Sequence, residues 1–494
     1  MKLRDLIDVI VLKKIHGNED VEVSAITDDS RTVVAGSLFV ALSGDHVDGH
    51  DFVAQAVAKG AVALLVEHVV ESHVPQIIVP STRRVAPILA HRLLGQPAKL
   101  MTMIGVTGTN GKTTTTMLIE RILQEAHKVT GLIGTIEQRT SAHVLRESGM
   151  TTPQAVDLTY LLKAMQDEQV EYVVMETSSH ALELARIAGI SYRVAAFTNL
   201  TQDHLDFHKT MDAYGRAKGH LFSRLGNDFY PLADGGLPVA VLNADDPWSA
   251  VYEKDTVQQV LTYGIDNAAD VCAKNLRIKA QGVQFVMETF AGHVEIALHM
   301  TGRFSVYNAL CAAACSLALG IDLFTIKHAL ENTLGVPGRF ERVVAGQPFT
   351  ILVDYSHTPD SLENALTTIR EFCTGKVITV VGAGGDRDKT KRPLMAQMAV
   401  RYSDFTVLTS DNPRTEDPEK ILDDMEQGVR AFPDKYTRLV SRTDGIRHAI
   451  CMAQEDDVIL IAGKGHETYQ ILGTIKHDYD DRKVAAAIIK ENVL

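Results

Sequence analysis

"GVTGTNGKTTTT", Gly105–Thr116, is the stretch whose reading decides how the middle of the chain folds. An apolar run, "MTMIGV" (101–106), leads into it, and a segment with helical apolar spacing, "TTTMLIERILQEA" (114–126), leads out. Strand, glycine-rich loop and helix in that order are what a phosphate loop needs. Backbone N–H groups and the helix N-terminus offer partial positive charge, Lys112 reaches terminal phosphates, and the Thr113 hydroxyl suits Mg2+. Gly108, Thr109, Asn110, Gly111 and Thr114 complete the candidate loop. A general Walker loop has glycine five places before Gly111; here Val106 stands there, between Gly105 and Gly108, so the loop is a variant. A plain strand-to-helix turn is the alternative reading; the residues favour ATP or GTP.

Working outward, apolar runs alternate with helical ones on both sides. Before the loop stand "SLFVAL" (37–42), "GAVALLVE" (60–67) and "PQIIVP" (75–80); after it "YVVMET" (172–177), "VAAFTN" (194–199) and "VAVLNA" (239–244). A third series is "TILVDY" (350–355), "KVITVVG" (376–382), "DFTVLTS" (404–410) and "DVILIAG" (457–463). Such alternation predicts α/β layers with largely parallel sheets. Three domains are expected: a small N-terminal α/β domain (1–98), a central P-loop ATPase-like parallel-sheet domain (99–335) and a C-terminal doubly wound Rossmann-like domain (336–494). A length of 494 residues agrees with roughly three domains at about 150 residues each. Most of these runs end in glycine or polar residues, and open α/β sheets bind ligands at their strands' carboxyl ends.

Composition narrows the partners. A formal charge of -13 argues against a nucleic-acid partner, so an anionic ligand has to be met by local cations. The five cysteines form no CxxC pair, which fits free thiols in a reducing cytoplasm. "MKLRDLIDVIVLKKI" is interrupted by Asp5 and Asp8, and "ALCAAACSLALGI" (309–321) is too short to span a bilayer. A cytoplasmic chain without membrane insertion, acting on small molecules as a monomer, is the expectation.

Further motifs follow the loop in order: "METSSH" (175–180), "TNLTQDHLDFH" (198–208), "YGRAKGHLF" (214–222), "VLNADD" (241–246), "GRFE" (338–341), "DYSHTPDSLE" (354–363), "GGDRDKTKRP" (384–393), "DNPR" (411–414) and "AGKGHETYQ" (462–470). With "TGTNGKT" this series resembles the Mur ligases, whose relatives include folylpolyglutamate synthetases. The resemblance implies an ADP-forming amide ligase: ATP phosphorylates a carboxylate of a UDP-MurNAc-dipeptide, and an amine displaces the phosphate. It marks Lys112, Glu176, His204 and Lys218 as catalytic, with Thr113, Glu176, His204 and a carbamylated Lys218 around Mg2+. It assigns the rest of the ATP site to Asn308, Arg339, Asp354 and His357. It places UDP-MurNAc-dipeptide on Ser30, Asp45, His46, Val47, Thr151, Thr152, Ser178 and Arg186. The chain departs from the family pattern at Ser305 and Ser356, where Asn and Ala are usual, and at Met150, which replaces an Asn.

The added amino acid turns on "TSDNPRTEDP" (409–418). By itself Arg414 reads as a surface charge pairing with Glu416 or Asp417, a contact of about 0 to 1 kcal/mol. The resemblance implies instead a pocket for meso-diaminopimelate made of Arg387, Asp411, Asn412, Pro413, Arg414, Gly463 and Glu467. Diaminopimelate differs from L-lysine by a distal carboxylate, which a bidentate guanidinium recognises. An L-lysine-adding ligase and a folylpolyglutamate synthetase-like ligase are the alternatives, and a nucleotide-binding regulator that has lost catalysis is a third.

Overall fold

The computed structural model describes residues 1–44, 47–147, 150–227 and 232–493, and it divides into two compact units. One comprises Met1–Cys272 and Leu310–Ile326, the other Ala273–Ala309 and Lys327–Leu494.

The first unit contains two α/β layers. The N-terminal sheet runs, edge to edge, Lys14–His16, Gln76–Ile78, Ala61–Val66, Ser37–Val40, Ala25–Thr27. Only the Lys14–His16 edge is antiparallel. Leu3, Leu6, Leu38, Leu65 and Leu89 pack beneath it with no exposure, each contributing about 1.5–3 kcal/mol. The second layer orders its strands Gln259–Gly264, Val239–Asn243, Tyr192–Phe197, Thr102–Thr107, Tyr172–Glu176, Thr130–Ile133. These six are parallel. Thr102–Thr107 is buried along its whole length, as the central strand of a sheet covered on both faces must be. Its register sets Val106 beside Glu176 and Thr107 beside Phe197. The phosphate loop and the segments after Glu176 and Phe197 therefore leave the same edge from adjacent strands.

The second unit carries a six-stranded sheet in the order Glu341–Val343, Thr350–Asp354, Val458–Ala462, Val377–Val381, Phe405–Thr409, Tyr436–Leu439. It is parallel except at its first strand. Helix Pro359–Phe372 starts at a reciprocal cap between Thr358 and Ser361, with proline at its first position. A separate hairpin, Tyr469–Leu472 with Ile475–Asp478, follows the strand that ends at Ala462.

One ion pair ties this unit together at the carboxyl ends of its parallel strands. Arg442 and Asp481 have no side-chain exposure and bond at 2.7 Å through both guanidinium Nε and Nη2. Arg442 also donates to the carbonyls of Ser410 (3.2 Å) and Ala462 (3.0 Å), at the ends of two parallel strands.

The expected apolar runs are all strands, within two or three residues at their ends. Among the strands beyond these runs, Lys14–His16, Ala25–Thr27 and the hairpin Glu137–Thr140/Val144–Glu147 are too short or too polar to show alternation. Cys311 and Cys315 are buried on helix Arg303–Ala318, and no helix of the described residues is long and apolar enough to cross a membrane.

Asp481→Asn leaves the buried Arg442 charge uncompensated and is expected to cost about 3 to 5 kcal/mol. Urea unfolding of the full chain measures it; an unchanged midpoint would mean the pair holds nothing together.

Candidate active site

Glu176 ends its strand 1% exposed, and hydrogen-bond donors meet both of its carboxylate oxygens. Thr113 Oγ1 donates to Oε2 (3.2 Å), while the Thr135 N–H donates to Oε1 (2.7 Å) and its hydroxyl to Oε2 (3.1 Å). Thr135 Oγ1 also lies 3.1 Å from Thr151 Oγ1, and Thr152 Oγ1 donates to the Glu176 carbonyl (2.8 Å) and accepts the Ser178 N–H (3.1 Å). Gly134 is required beneath this carboxylate, since a Cβ there would stand 2.6 Å from Oε1. Thr113, Glu176, Thr151, Thr152 and Ser178 thus form one hydrogen-bonded group.

The phosphate loop is wired to the neighbouring strand's exit. Thr109 N donates to Asn199 O (2.7 Å), Asn110 N to Asn199 Oδ1 (3.0 Å), and Thr198 Oγ1 to Asn110 O (2.6 Å). Gly108 has φ +146° and no room for a side chain: a Cβ would sit 1.8 Å from Thr198 Oγ1. Gly111, at φ +83°, caps helix Lys112–Glu125, in which Thr114 is buried. Lys112 Nζ donates to Gly108 O (3.0 Å) and Thr109 O (2.7 Å).

Lys218 converges on the same loop. It is 1% exposed, donates to Gly108 O at 2.7 Å, and holds its amine 4.4 Å from the Tyr214 ring centroid. Burial, then the nearby Lys112 charge, pushes its ammonium well below the usual lysine range. Tyr214 shares a hydrogen bond with Thr109 (3.2 Å). His204 follows in left-handed backbone (φ +53°), its ring edge-on to His180 with centroids 4.8 Å apart.

Thr113 and Glu176 offer a hydroxyl and a carboxylate, hard oxygen donors that fit Mg2+. Among the described residues no three His, Cys, Asp or Glu form a metal cage. Mg2+ ordinarily takes one or two carboxylates and fills its octahedron with water and substrate phosphate, so the pair suffices.

Arg186 donates to Thr152 O (3.1 Å), and its buried Nε makes no hydrogen bond among the described residues. It lines a small hollow with Asp28, Arg83 and Gln154. Burial, and next the neighbouring Asp157, pushes the Asp28 carboxyl up to about 6. Ser30 bonds Gln55 at 2.9 Å instead of joining the Glu176 group; Val47 is 59% exposed. Asp45 and His46 lie outside the described residues.

In the second unit Asp354 is buried and accepts from Phe340 N (3.0 Å) and the Ser356 hydroxyl. Burial raises its carboxyl, against the lowering pull of Arg339. Arg339 lies over the Tyr355 ring (5.1 Å), and His357 Nδ1 bonds Tyr355 O (2.8 Å). Asn308 is buried on its helix.

"DNPR" is held by buried polar contacts. Asn412 donates to Glu467 Oε2 (2.8 Å) and accepts from Lys464 Nζ (3.1 Å) and Ile471 N (2.9 Å). Lys464, fully buried, pairs with Glu467 at 3.0 Å. Asp411 Oδ1 accepts the Asn412 N–H at 2.7 Å, and a Cβ on Gly463 (φ +112°) would meet Asp411 Oδ2 at 2.6 Å. Pro413 is buried. Arg414 does not pair with its acidic neighbours. Glu416 is taken by Arg392 (2.8 Å) and Lys389 (3.1 Å), and the Arg392 bond first of all pulls it down to about 2. Asp417 caps the next helix through Glu419 N (3.0 Å). Arg414 Nη1 donates to Gly385 O (2.8 Å) and stands 3.0 Å from where a Gly384 Cβ would be, with Arg387 Cγ 3.7 Å from the same point. The two arginines flank one glycine.

Thr135, Tyr214, Asn199, Lys464 and Gln470 escaped the sequence reading. All but Thr135 lie inside the motifs above, yet only the fold brings Lys464 to Asn412 and Gln470 to Asp411 O (2.7 Å).

Three family models match in chain order: "Mur ligase family, catalytic domain" at residues 22–94, "Mur ligase middle domain" at 106–316, and "Mur ligase, glutamate ligase domain" at 338–465. A UDP-N-acetylmuramoyl-L-alanyl-D-glutamate–2,6-diaminopimelate ligase of Geobacillus thermodenitrificans is 50% identical over 492 residues, covering 99% of this chain and 100% of that protein. Its namesake in Halalkalibacterium halodurans is 49% identical over 493 residues, covering 99% of each. A solved structure of a ligase with the same name is 30% identical, with a TM-score of 0.72 over 100% of this chain and 99% of that one.

Gly108→Ala is expected to lower stability by about 1 to 3 kcal/mol through overlap with Thr198 and backbone strain. Adding Thr198→Ala relieves the overlap only, so urea unfolding should show partial recovery; wild-type stability in the single variant would refute the tight loop.

Proposed function

The chain belongs to the Mur ligase family, and we propose that it joins meso-diaminopimelate to UDP-MurNAc-L-Ala-D-Glu in an ATP-driven, ADP-forming reaction of peptidoglycan precursor synthesis. Residues 1–98 take the UDP-MurNAc end, 99–335 the ATP phosphates and 336–494 the incoming amino acid. One observation carries the choice of amino acid. Arg414 and Arg387 flank Gly384 while the carboxylates next to Arg414 in sequence are engaged elsewhere, so the guanidinium is kept for a foreign carboxylate.

The backbone N–H groups of Gly108–Thr113 and Lys112 receive the ATP phosphates. Asn308, Arg339, Asp354 and His357 attend the other end of the nucleotide. Thr113, Glu176 and His204 would hold Mg2+, and Lys218 as its carbamate would help hold a second ion. When bound, Mg2+ neutralises charge on the transferring phosphoryl group. Lys218 acts as its carbamate: an unprotonated amine adds to CO2, a C–N bond forms, one proton leaves, and the buried cation becomes an anion. Its burial beside Lys112 favours the neutral amine that this step requires.

Arg186, whose Nε has a hydrogen bond to give, receives a substrate carboxylate, with Thr151, Thr152 and Ser178 beside it. Ser30 and the segment Asp45–Val47 attend the uridine diphosphate. At the far end Glu467, fixed by Lys464 and Asn412, takes an ammonium group, and Arg414 with Arg387 takes the distal carboxylate. L-lysine would leave those arginines unmet.

Purified protein with ATP, Mg2+ and UDP-MurNAc-L-Ala-D-Glu should release phosphate on addition of meso-diaminopimelate and far less with L-lysine. Arg414→Ala should weaken use of diaminopimelate by about 2 to 5 kcal/mol while the KM for ATP is kept. Equal rates with both amino acids, or an unchanged KM in the variant, would remove the specificity. With 13C-bicarbonate, a carbamate resonance is expected that Lys218→Ala abolishes; its absence from the wild type would remove the modification.

A further inference from the structure

We infer that the hairpin Tyr469–Leu472/Ile475–Asp478 acts as a gauge for the amino-acid substrate, and that Gln470 is a positioning residue for selection of a side chain ending in carboxylate. The inference rests on the diaminopimelate reading above.

Arg414 is held in left-handed backbone at φ +51°. A bulky L residue adopts that conformation rarely and keeps it only where surrounding contacts over-determine it. Those contacts come from the hairpin's first strand and its turn. The Arg414 N–H donates to Ile471 O (3.1 Å), and Gly473 N donates back to Arg414 O (2.8 Å), so Arg414 and Leu472 form a parallel bridge. Two bonds upstream complete the seam: Gln470 Nε2 to Asp411 O (2.7 Å) and Ile471 N to Asn412 Oδ1 (2.9 Å). Gln470 is the only one of these that acts through its own side-chain donor, which makes it separable from the backbone.

The same segment carries the opposite pole. Glu467 lies three residues before Gln470, its carboxylate bound to Lys464 (3.0 Å) and to Asn412 (2.8 Å). Asn412 therefore receives Ile471 N on its carbonyl and holds Glu467 with its amide. The ammonium-binding carboxylate and the carboxylate-binding guanidinium share one hydrogen-bonded frame, residues 411–414 against 464–473. Their separation is set by that frame and not by a free loop. A side chain with charges of the right signs at the wrong spacing would miss one pole; L-lysine lacks one charge altogether.

The test uses the full chain with Gln470→Ala and Gln470→Glu. The second keeps the shape but turns an oxygen toward the Asp411 carbonyl in place of the N–H donor. Both should raise the KM for meso-diaminopimelate roughly three- to tenfold, the loss of one hydrogen bond, with the KM values for ATP and UDP-MurNAc-L-Ala-D-Glu within about twofold of wild type. The preference over L-lysine should fall by the same factor. Gly473→Ala, with open space around the added methyl but φ +62°, should shift the same KM in the same direction and leave room to fold. Wild-type KM values in both Gln470 variants, or an equal rise for all three substrates, would overturn the gauge. A wild type that uses lysine as readily as diaminopimelate would instead overturn the reading beneath it, and the gauge with it.

Discussion

Glu176 brings a carboxylate to the carboxyl end of a buried parallel strand, where two threonines share it and a third binds the residue's backbone carbonyl. Thr113 belongs to the phosphate-loop helix, Thr135 to the turn after the next strand, and Thr152 binds the carbonyl of the same glutamate. A carboxylate 1% exposed is costly unless its oxygens are hydrogen-bonded, so the three segments are held to one geometry. The family's chemistry gathers ATP, a carboxylate and an acyl phosphate. Cations and N–H groups in such a site must be fixed before the substrates arrive, because each reorganisation at the moment of reaction raises the barrier.

The second unit solves the same problem with a neutral hub. Asn412, 2% exposed, meets Lys464, Glu467 and the Ile471 N–H, so the candidate amino-acid pocket stands on largely buried contacts. Beneath it Arg442 bonds the carbonyls of Ser410 and Ala462, the two strand exits from which "DNPR" and "AGKGHE" emerge. In both units many of the candidate site residues lie just past strand ends, and the restraint lies just behind them. Loops so placed can carry function without losing their shape.

How much of this was legible depends on the range of the contact. The phosphate loop reads directly, because glycines, Lys112 and Thr113 act within ten residues of one another between an apolar strand and a helix. Long buried runs such as "TILVDY" read equally well, since strands covered on both faces are nearly continuous in apolar residues. Lys218 stands out only through the resemblance of "YGRAKGHLF"; the Tyr214 ring beside it is four residues away, but the Gly108 carbonyl that its amine reaches is over a hundred positions off and leaves no local trace. Arg414 is the sharpest case. In sequence it sits among Asp411, Glu416 and Asp417, but Glu416 is engaged by Arg392 and Asp417 by its own helix, and the left-handed turn that aims Arg414 is held by residues 471–473. Three-residue strands have too few residues to show a period, and mixed polar strands such as Gly282–Thr289 lack the continuous apolar run that marks a strand buried on both faces.

The central claim is that two arginines beside Gly384 choose the amino acid by its distal carboxylate. Its most direct measurement is a competition: the enzyme, ATP, Mg2+ and UDP-MurNAc-L-Ala-D-Glu with equimolar meso-diaminopimelate and L-lysine, the products resolved by mass spectrometry. An unpaired arginine disfavours the wrong substrate by 2 kcal/mol or more, so the diaminopimelate product should exceed the lysine product by at least about 30-fold. Products in comparable amounts would contradict it.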